Sequence, residues 1–198
     1  MSEKGYFTLK WILGTFGLLF ASVWLSFGLA FAVRTDSVYS VWLTLSVPLL
    51  LFLVGIPVWK KRSHLQLFQI RKNQRILTLV LYAVCAPLIL LIISRIENWP
   101  YALHLFVISV SEEFYCRGVL NREFRKHYSP AASLWIVSLM FAFLFHMDEP
   151  LLQNLWLRLP VGLGLGYAYN KTGNLWIPVL LHTIFNASVI ILYSGGSI

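Results

Sequence analysis

Two adjacent glutamates in the middle of an apolar stretch are the residues with the clearest chemical potential. The sequence contains eight acidic residues, and only Glu112 and Glu113 lie well inside an apolar stretch. A charged group at the centre of a bilayer costs about 2.5–3.5 kcal/mol on insertion scales, so such a pair is expected to have a function. Arg117 follows Glu113 by four residues, which predicts an ion pair on one helical face. Consecutive helical residues point about 100° apart, so Glu112 is expected to point elsewhere and to be free to react.

Two histidines and an asparagine on other apolar stretches could complete a site. His146 closes one stretch, and His182 and Asn186 are four residues apart on another, so they share a helical face. A carboxylate kept away from water can take a proton from a water molecule, and a histidine can position that water. A second histidine and an amide can donate hydrogen bonds to the oxyanion. This set is suited to peptide hydrolysis, although a single intramembrane histidine often only joins two helices.

The elements that must carry these residues are transmembrane helices. The sequence is 58% hydrophobic and 12% charged, whereas soluble domains carry about 25% charged residues, so lipid must cover much of the surface. A span needs about 20 mostly apolar residues and must satisfy its own backbone hydrogen bonds, which predicts helices. The predicted spans are 11–33, 38–59, 76–96, 101–120, 131–147, 151–170 and 175–193. We expect an all-α polytopic transmembrane helix bundle with about seven spans, or six if the span with Arg158 and Pro160 is re-entrant.

The net charge of +8 follows the topology and does not indicate nucleic acid binding. Thirteen of the 16 Lys and Arg residues fall on one predicted side, and only Arg34 and Arg95 fall on the other. This bias predicts a multi-pass protein of the cell membrane with a cytoplasmic N-terminus and an external C-terminus. The first helix is expected to be retained, although Ala30-Phe31-Ala32 could be a signal-peptidase site. No internal repeat or second domain is visible, so we expect one membrane domain, 1–198, with its catalytic core at 101–193.

The motifs resemble those of the CPBP family, named for CAAX proteases and bacteriocin-processing proteins and also called Abi. EEFYCR (112–117) and HTIFN (182–186) are similar to the EExxxR and HxxxN motifs of that family. Its FxxxH motif would end at His146, but Ala142 occupies the aromatic position, with a phenylalanine on either side. The resemblance covers about 105–190.

The resemblance implies an intramembrane glutamate-dependent endopeptidase that needs no metal cofactor. It assigns water activation to Glu112 and His146, the oxyanion hole to His182 and Asn186, and a supporting pair to Glu113 and Arg117. It also implies a peptide or membrane-protein substrate within the lipid bilayer, in bacteriocin or peptide processing or in self-immunity.

Four other interpretations stay open. In a zinc protease, Glu112, His146 and His182 would supply three ligands and leave a position for water. In a non-catalytic immunity or regulatory membrane protein, the same polar network would serve binding, and loss of Glu112 would leave the function intact. A proton-coupled transporter would also bury Glu and His, but no inverted repeat supports it. The two glutamates could also be no more than packing groups.

Overall fold

The computed structural model describes residues 2–33, 40, 42–93 and 99–194. Within these ranges the chain forms helices and no strand, so the all-α expectation is confirmed. The helices are α1 (Glu3–Ala32), α2 (Trp42–Ser46, Val47–Leu49, Leu50–Gly55 and Ile56–Lys60 in succession), α3 (Arg75–Ile93), α4 (Trp99–Glu113, Phe114–Leu120 and Asn121–Phe124 in succession), α5 (Pro130–Leu144), α6 (Leu151–Gln153, Asn154–Arg158 and Leu159–Thr172 in succession) and α7 (Trp176–Ser194). Arg34 and Arg95, which mark the predicted outer side, lie outside the described residues.

Three of the helices contain π-helical turns. Wide turns occupy Trp42–Ser46 and Leu50–Gly55 on either side of Pro48 in α2, and also Phe114–Leu120 in α4 and Asn154–Arg158 in α6. A proline lacks the backbone N–H that the regular helical ladder needs, which accounts for the irregularity in α2. Inserted π turns are frequent at functional sites, and the one in α4 begins directly after the two glutamates.

Two helices are long and apolar enough to cross a membrane. In the part of the chain that the structure describes, length and composition select Glu3–Ala32 and Leu43–Lys60, while Pro130–Leu144 and Trp176–Val189 are apolar but shorter. The seven-span bundle therefore stays a prediction.

On α1, Phe20 and Trp24 are exposed whereas Thr15 is buried. This inverted distribution is typical of a helix that faces lipid.

Helix α4 lies at the centre of the packing. Its buried side chains Phe114, Tyr115 and Leu120 belong to the main apolar cluster. α7 packs against α3, α4 and α6, and α2 packs between α1 and α4. The Thr15 hydroxyl shares a 3.2 Å hydrogen bond with the Tyr115 hydroxyl, which ties α1 to α4. The core therefore forms around the helix that carries the glutamates.

Two glycines let α6 approach α5 and α4 closely. A Cβ on Gly162 would stand 3.0 Å from Cδ1 of Phe141, and a Cβ on Gly166 would clash with Cδ1 of Leu134. The same Cβ on Gly166 would stand 3.5 Å from Nη1 of Arg117. Small residues therefore bring three helices together around the guanidinium of Arg117.

Candidate active site

The predicted ion pair forms one side of the site. Arg117 donates from Nε to Oε2 of Glu113 at 2.9 Å and from Nη2 to Oε1 at 3.5 Å. The side chains are 1% and 0% exposed, respectively. The guanidinium also lies over the ring of Phe141, 5.4 Å from its centroid. A charge buried this completely must be paired, so the ion pair fixes Glu113 as an ionised acceptor.

His182 lies between the two glutamates. Its Nδ1 is 3.1 Å from Oε1 of Glu113, and its Nε2 is 3.8 Å from Oε2 of Glu112. An ionised carboxylate only accepts hydrogen bonds, so Nδ1 must carry a proton and donate it. In a neutral ring Nε2 is then a lone pair that faces Glu112. The two glutamates therefore face the same imidazole ring, each at a different nitrogen. From the sequence, Glu112 was expected to point elsewhere.

Glu112 is the buried acid without a fixed partner. Its residue is 8% exposed, and its Oε2 is buried without a hydrogen-bond partner among the described residues. Nε2 of His182, which faces this oxygen, is also buried and has no hydrogen-bond partner among the described residues. Buried polar atoms are nearly always hydrogen-bonded, so two such atoms that face each other without a hydrogen bond indicate a place where another group binds. Arg117, Glu113, His182 and Glu112 thus form a continuous chain of buried polar side chains.

His146 lies near this chain but beyond the end of its helix. α5 ends at Leu144, so His146 lies in the following turn, where its Nδ1 donates to the carbonyl oxygen of Phe141 at 3.0 Å. The ring of Phe141 is 4.9 Å from the His146 ring and 5.5 Å from the His182 ring, measured between centroids. Because the chain leaves the helix, the aromatic partner stands five residues before the histidine instead of four. No hydrogen bond or ion pair joins His146 to Glu112 in the described part of the chain.

Asn186 lies one turn beyond His182 and is held by a hydroxyl of α4. Its Nδ2 donates to Oγ of Ser109 at 3.5 Å, and Ser109 in turn donates to the carbonyl of Leu105 at 2.9 Å. The other N–H of the amide has no acceptor among the described residues. Ser109 has no signal in the sequence that separates it from other serines in apolar stretches.

Arg158 is a second residue that sequence reasoning did not assign to the site. Its Nη2 donates to Oε1 of Glu149 at 3.1 Å, and its guanidinium lies 5.6 Å from the ring centroid of Phe185, next to Asn186. It is 7% exposed. A basic residue inside an apolar stretch is the same signal that selected the glutamates, and it could have selected Arg158.

The site brings together Glu112, Glu113, Arg117 and His182, with Asn186 and His146 at its edges. In the ranges that the structure describes, no group of three His, Cys, Asp or Glu side chains could hold a metal ion. His146 is therefore not grouped with Glu112 and His182 as a ligand set, and the zinc interpretation stays a hypothesis.

Residues 94–188 match the model of a family described as Type II CAAX prenyl endopeptidase Rce1-like. This is a family of membrane-embedded proteases. The matched part of the chain contains every residue of the site, and the resemblance to the CAAX protease group is confirmed. No curated protein and no solved structure matches the chain significantly.

Proposed function

We propose that the protein is an intramembrane endopeptidase in which Glu112 is the general base for the attack of water on a peptide bond. The observation that carries this proposal is the unpartnered Oε2 of Glu112, which faces the unpartnered Nε2 of His182 in a buried site. A water molecule between them would have one acceptor to take its proton and a second to orient it. The family match supports peptide-bond hydrolysis as the reaction.

In the proposed reaction the same proton is transferred twice. Glu112 takes a proton from water as the water oxygen attacks the carbonyl carbon. The tetrahedral intermediate then collapses when that proton passes, directly or through Nε2 of His182, to the leaving nitrogen. The Glu113–Arg117 pair holds Nδ1 of His182 protonated, so its role is to fix the tautomer and the orientation of the ring.

The developing oxyanion needs donors. Asn186 has a free N–H beside the site, and His182 donates from Nε2 when the proton resides on its ring. His146, whose Nδ1 proton is fixed by a carbonyl, presents Nε2 from the turn after α5. We assign to His146 a second contact to the attacking water, in addition to Glu112 and Nε2 of His182.

The substrate class is a peptide or a membrane protein with a cleavable segment at the bilayer. The family name makes a prenylated peptide with a C-terminal CAAX sequence a direct probe. A bacterial peptide-processing or self-immunity role, involving bacteriocins, is the biological setting we propose from the CPBP resemblance.

The experiment compares Glu112→Gln with wild type in membranes and in purified form. We expect the variant to fold and to lose cleavage of the prenylated probe, while membrane peptidomics shows uncut substrate accumulating. Glu123→Gln, which changes a glutamate paired with Lys126 near the surface, is the matched control and should retain activity. Retained turnover in Glu112→Gln would reject the glutamate mechanism.

A second measurement addresses the alternatives. Inhibition by a tight chelator, reversed by zinc, would favour the metal-dependent protease. If Glu112→Gln preserved an immunity phenotype in cells and wild type cleaved no peptide, a binding role would replace the enzymatic one.

A further inference from the structure

A polar cavity lies away from the candidate active site, where the ends of two helices meet the segment before α3. Its volume is about 270 Å³, and it is lined by the ends of α4 and α6, the turn after α6 and the segment before α3. No acidic residue lines it. Its basic residues are Arg71, Arg122, Arg125 and Lys171. All four belong to segments that the charge bias assigns to the cytoplasmic side.

Specific contacts build this cavity. Nε2 of Gln74 donates to the carbonyl oxygen of Thr172, which joins the segment before α3 to the end of α6. Gly173 follows in the left-handed region with φ of 62°, and the position of its missing Cβ lies 3.4 Å from Nη2 of Arg71. A side chain there would be strained and would crowd the guanidinium. The turn therefore holds Arg71 over the cavity.

A buried amide lines the cavity. Asn121 is 2% exposed, and its Nδ2 donates to Oδ1 of Asn170 at 2.8 Å, which joins α4 to α6. Its own Oδ1 is buried and has no hydrogen-bond partner among the described residues. An unsatisfied buried acceptor costs about 1–3 kcal/mol, so a ligand that brings a hydroxyl donor would be favoured here.

The cationic groups lack counter-charges. Arg71, Arg122 and Arg125 form no ion pair and donate no side-chain hydrogen bond to any residue that the structure describes. Lys171 lies over the ring of Tyr167, 5.5 Å from its centroid. Four like charges around one small cavity repel each other, and a bound anion would relieve that repulsion.

Helix ends explain only part of this charge. The carbonyl ends of α4 and α6 both lie here, and basic residues are favourable at such ends. The end of α6 is already capped, however, because the Gly173 N–H donates to Tyr169 at 2.7 Å and Gln74 donates to Thr172. The arginines therefore remain available for a ligand, and their planar guanidinium groups match the oxygens of phosphate.

We propose that this cavity binds a phosphate group accompanied by a hydroxyl, supplied by an anionic phospholipid headgroup such as phosphatidylglycerol or by soluble hydrogen phosphate. The arginines contact the phosphate oxygens, and the Oδ1 of Asn121 accepts the hydroxyl proton. The bound group joins the end of α4, which carries the glutamates, to α6 and to the segment before α3. This binding does not depend on the peptidase proposal.

The test measures ligand-dependent stability of the full chain. Wild type is compared with Arg71→Gln/Arg125→Gln, and the matched control is Lys60→Gln/Lys61→Gln. The control removes the same charge from exposed residues on the same predicted side, outside the cavity. In one arm the chain is placed in phosphatidylcholine nanodiscs with and without phosphatidylglycerol. In the other it is titrated with sodium phosphate in an uncharged detergent, against sodium chloride at equal ionic strength.

We expect saturable stabilisation of wild type and of the control, seen as a rise in unfolding temperature. The cavity variant should bind at least about tenfold more weakly, because hydrogen bonds to a charged group are lost. A response only to phosphatidylglycerol identifies the headgroup as the source, and a response to phosphate in detergent identifies the soluble ion. Equal weakening in both variants, or no stabilisation of wild type in either arm, would overturn the proposal.

Discussion

Removing the charge of Glu113 is expected to destabilise the fold far more than removing the charge of its neighbour Glu112. Glu113 is fully buried, 2.9 Å from Nε of the equally buried Arg117 and 3.1 Å from Nδ1 of His182. Glutamine has nearly the same shape, so Glu113→Gln changes little but the charge. It leaves the guanidinium buried without a counter-ion, and breaking a buried pair in this way costs about 3–5 kcal/mol.

Glu112→Gln leaves no charge unpaired. No Lys or Arg in the described ranges forms an ion pair with Glu112, and its facing atom is Nε2 of His182 at 3.8 Å. We therefore expect a loss of stability of about 1 kcal/mol or less, the typical effect of one substitution. The two adjacent residues should thus separate, with Glu113 governing the stability of the fold and Glu112 governing cleavage.

The assay is reversible unfolding of the purified chain in mixed micelles with increasing dodecyl sulfate, followed by tryptophan fluorescence and helicity. The double variant Glu113→Gln/Arg117→Gln should recover part of the loss, because neither charge is then left alone. If Glu113→Gln unfolded with the same free energy as wild type, or if Glu112→Gln lost as much, the view of Glu113–Arg117 as the structural pair would be refuted.

Three further predictions follow from local geometry. Gly166→Ala should lower the free energy of unfolding by about 1–3 kcal/mol, because the new methyl group overpacks against Leu134. Gly164→Ala is the control and should be neutral or stabilising, since nothing lies within 4 Å of its new methyl group. Equal effects of the two substitutions would contradict the close approach of α6 to α5 at Gly166. Phe141→Leu removes a ring that contacts both histidines and should slow cleavage of the prenylated probe about 10- to 100-fold in kcat, with binding little changed. Burial lowers the pKa of His64 below its usual 6.5. The neutral form of this side chain therefore stabilises the fold above pH 6.5, and the stabilisation is lost as the pH falls below that value. His64→Gln should flatten the resulting fall in unfolding temperature between about pH 7.5 and about pH 5.5.

The sequence predicts the helices well because lipid imposes a simple rule on them. Long apolar stretches must become helices, and each predicted span overlaps a helix within the described residues. The ion pair between Glu113 and Arg117 is also predictable, because a four-residue spacing fixes a common helical face. These features depend only on local geometry.

The sequence does not predict how residues from different helices meet. The spacing of Glu112 and Glu113 places them on different faces, yet His182 reaches both because its two ring nitrogens lie on different edges. The register of Phe141 and His146 could not be read from a helical repeat, because the chain leaves the helix at Leu144. Both features depend on tertiary packing that spacing alone does not encode.

The imidazole between the two carboxylates also acts as a gauge of helix alignment. A slide of α7 along α4 by one turn, about 5.4 Å, would separate both nitrogens from their oxygens at once. The ¹⁵N chemical shifts of the His182 ring would therefore report whether the two helices keep their alignment. One ring thus reports on the packing of two helices at once.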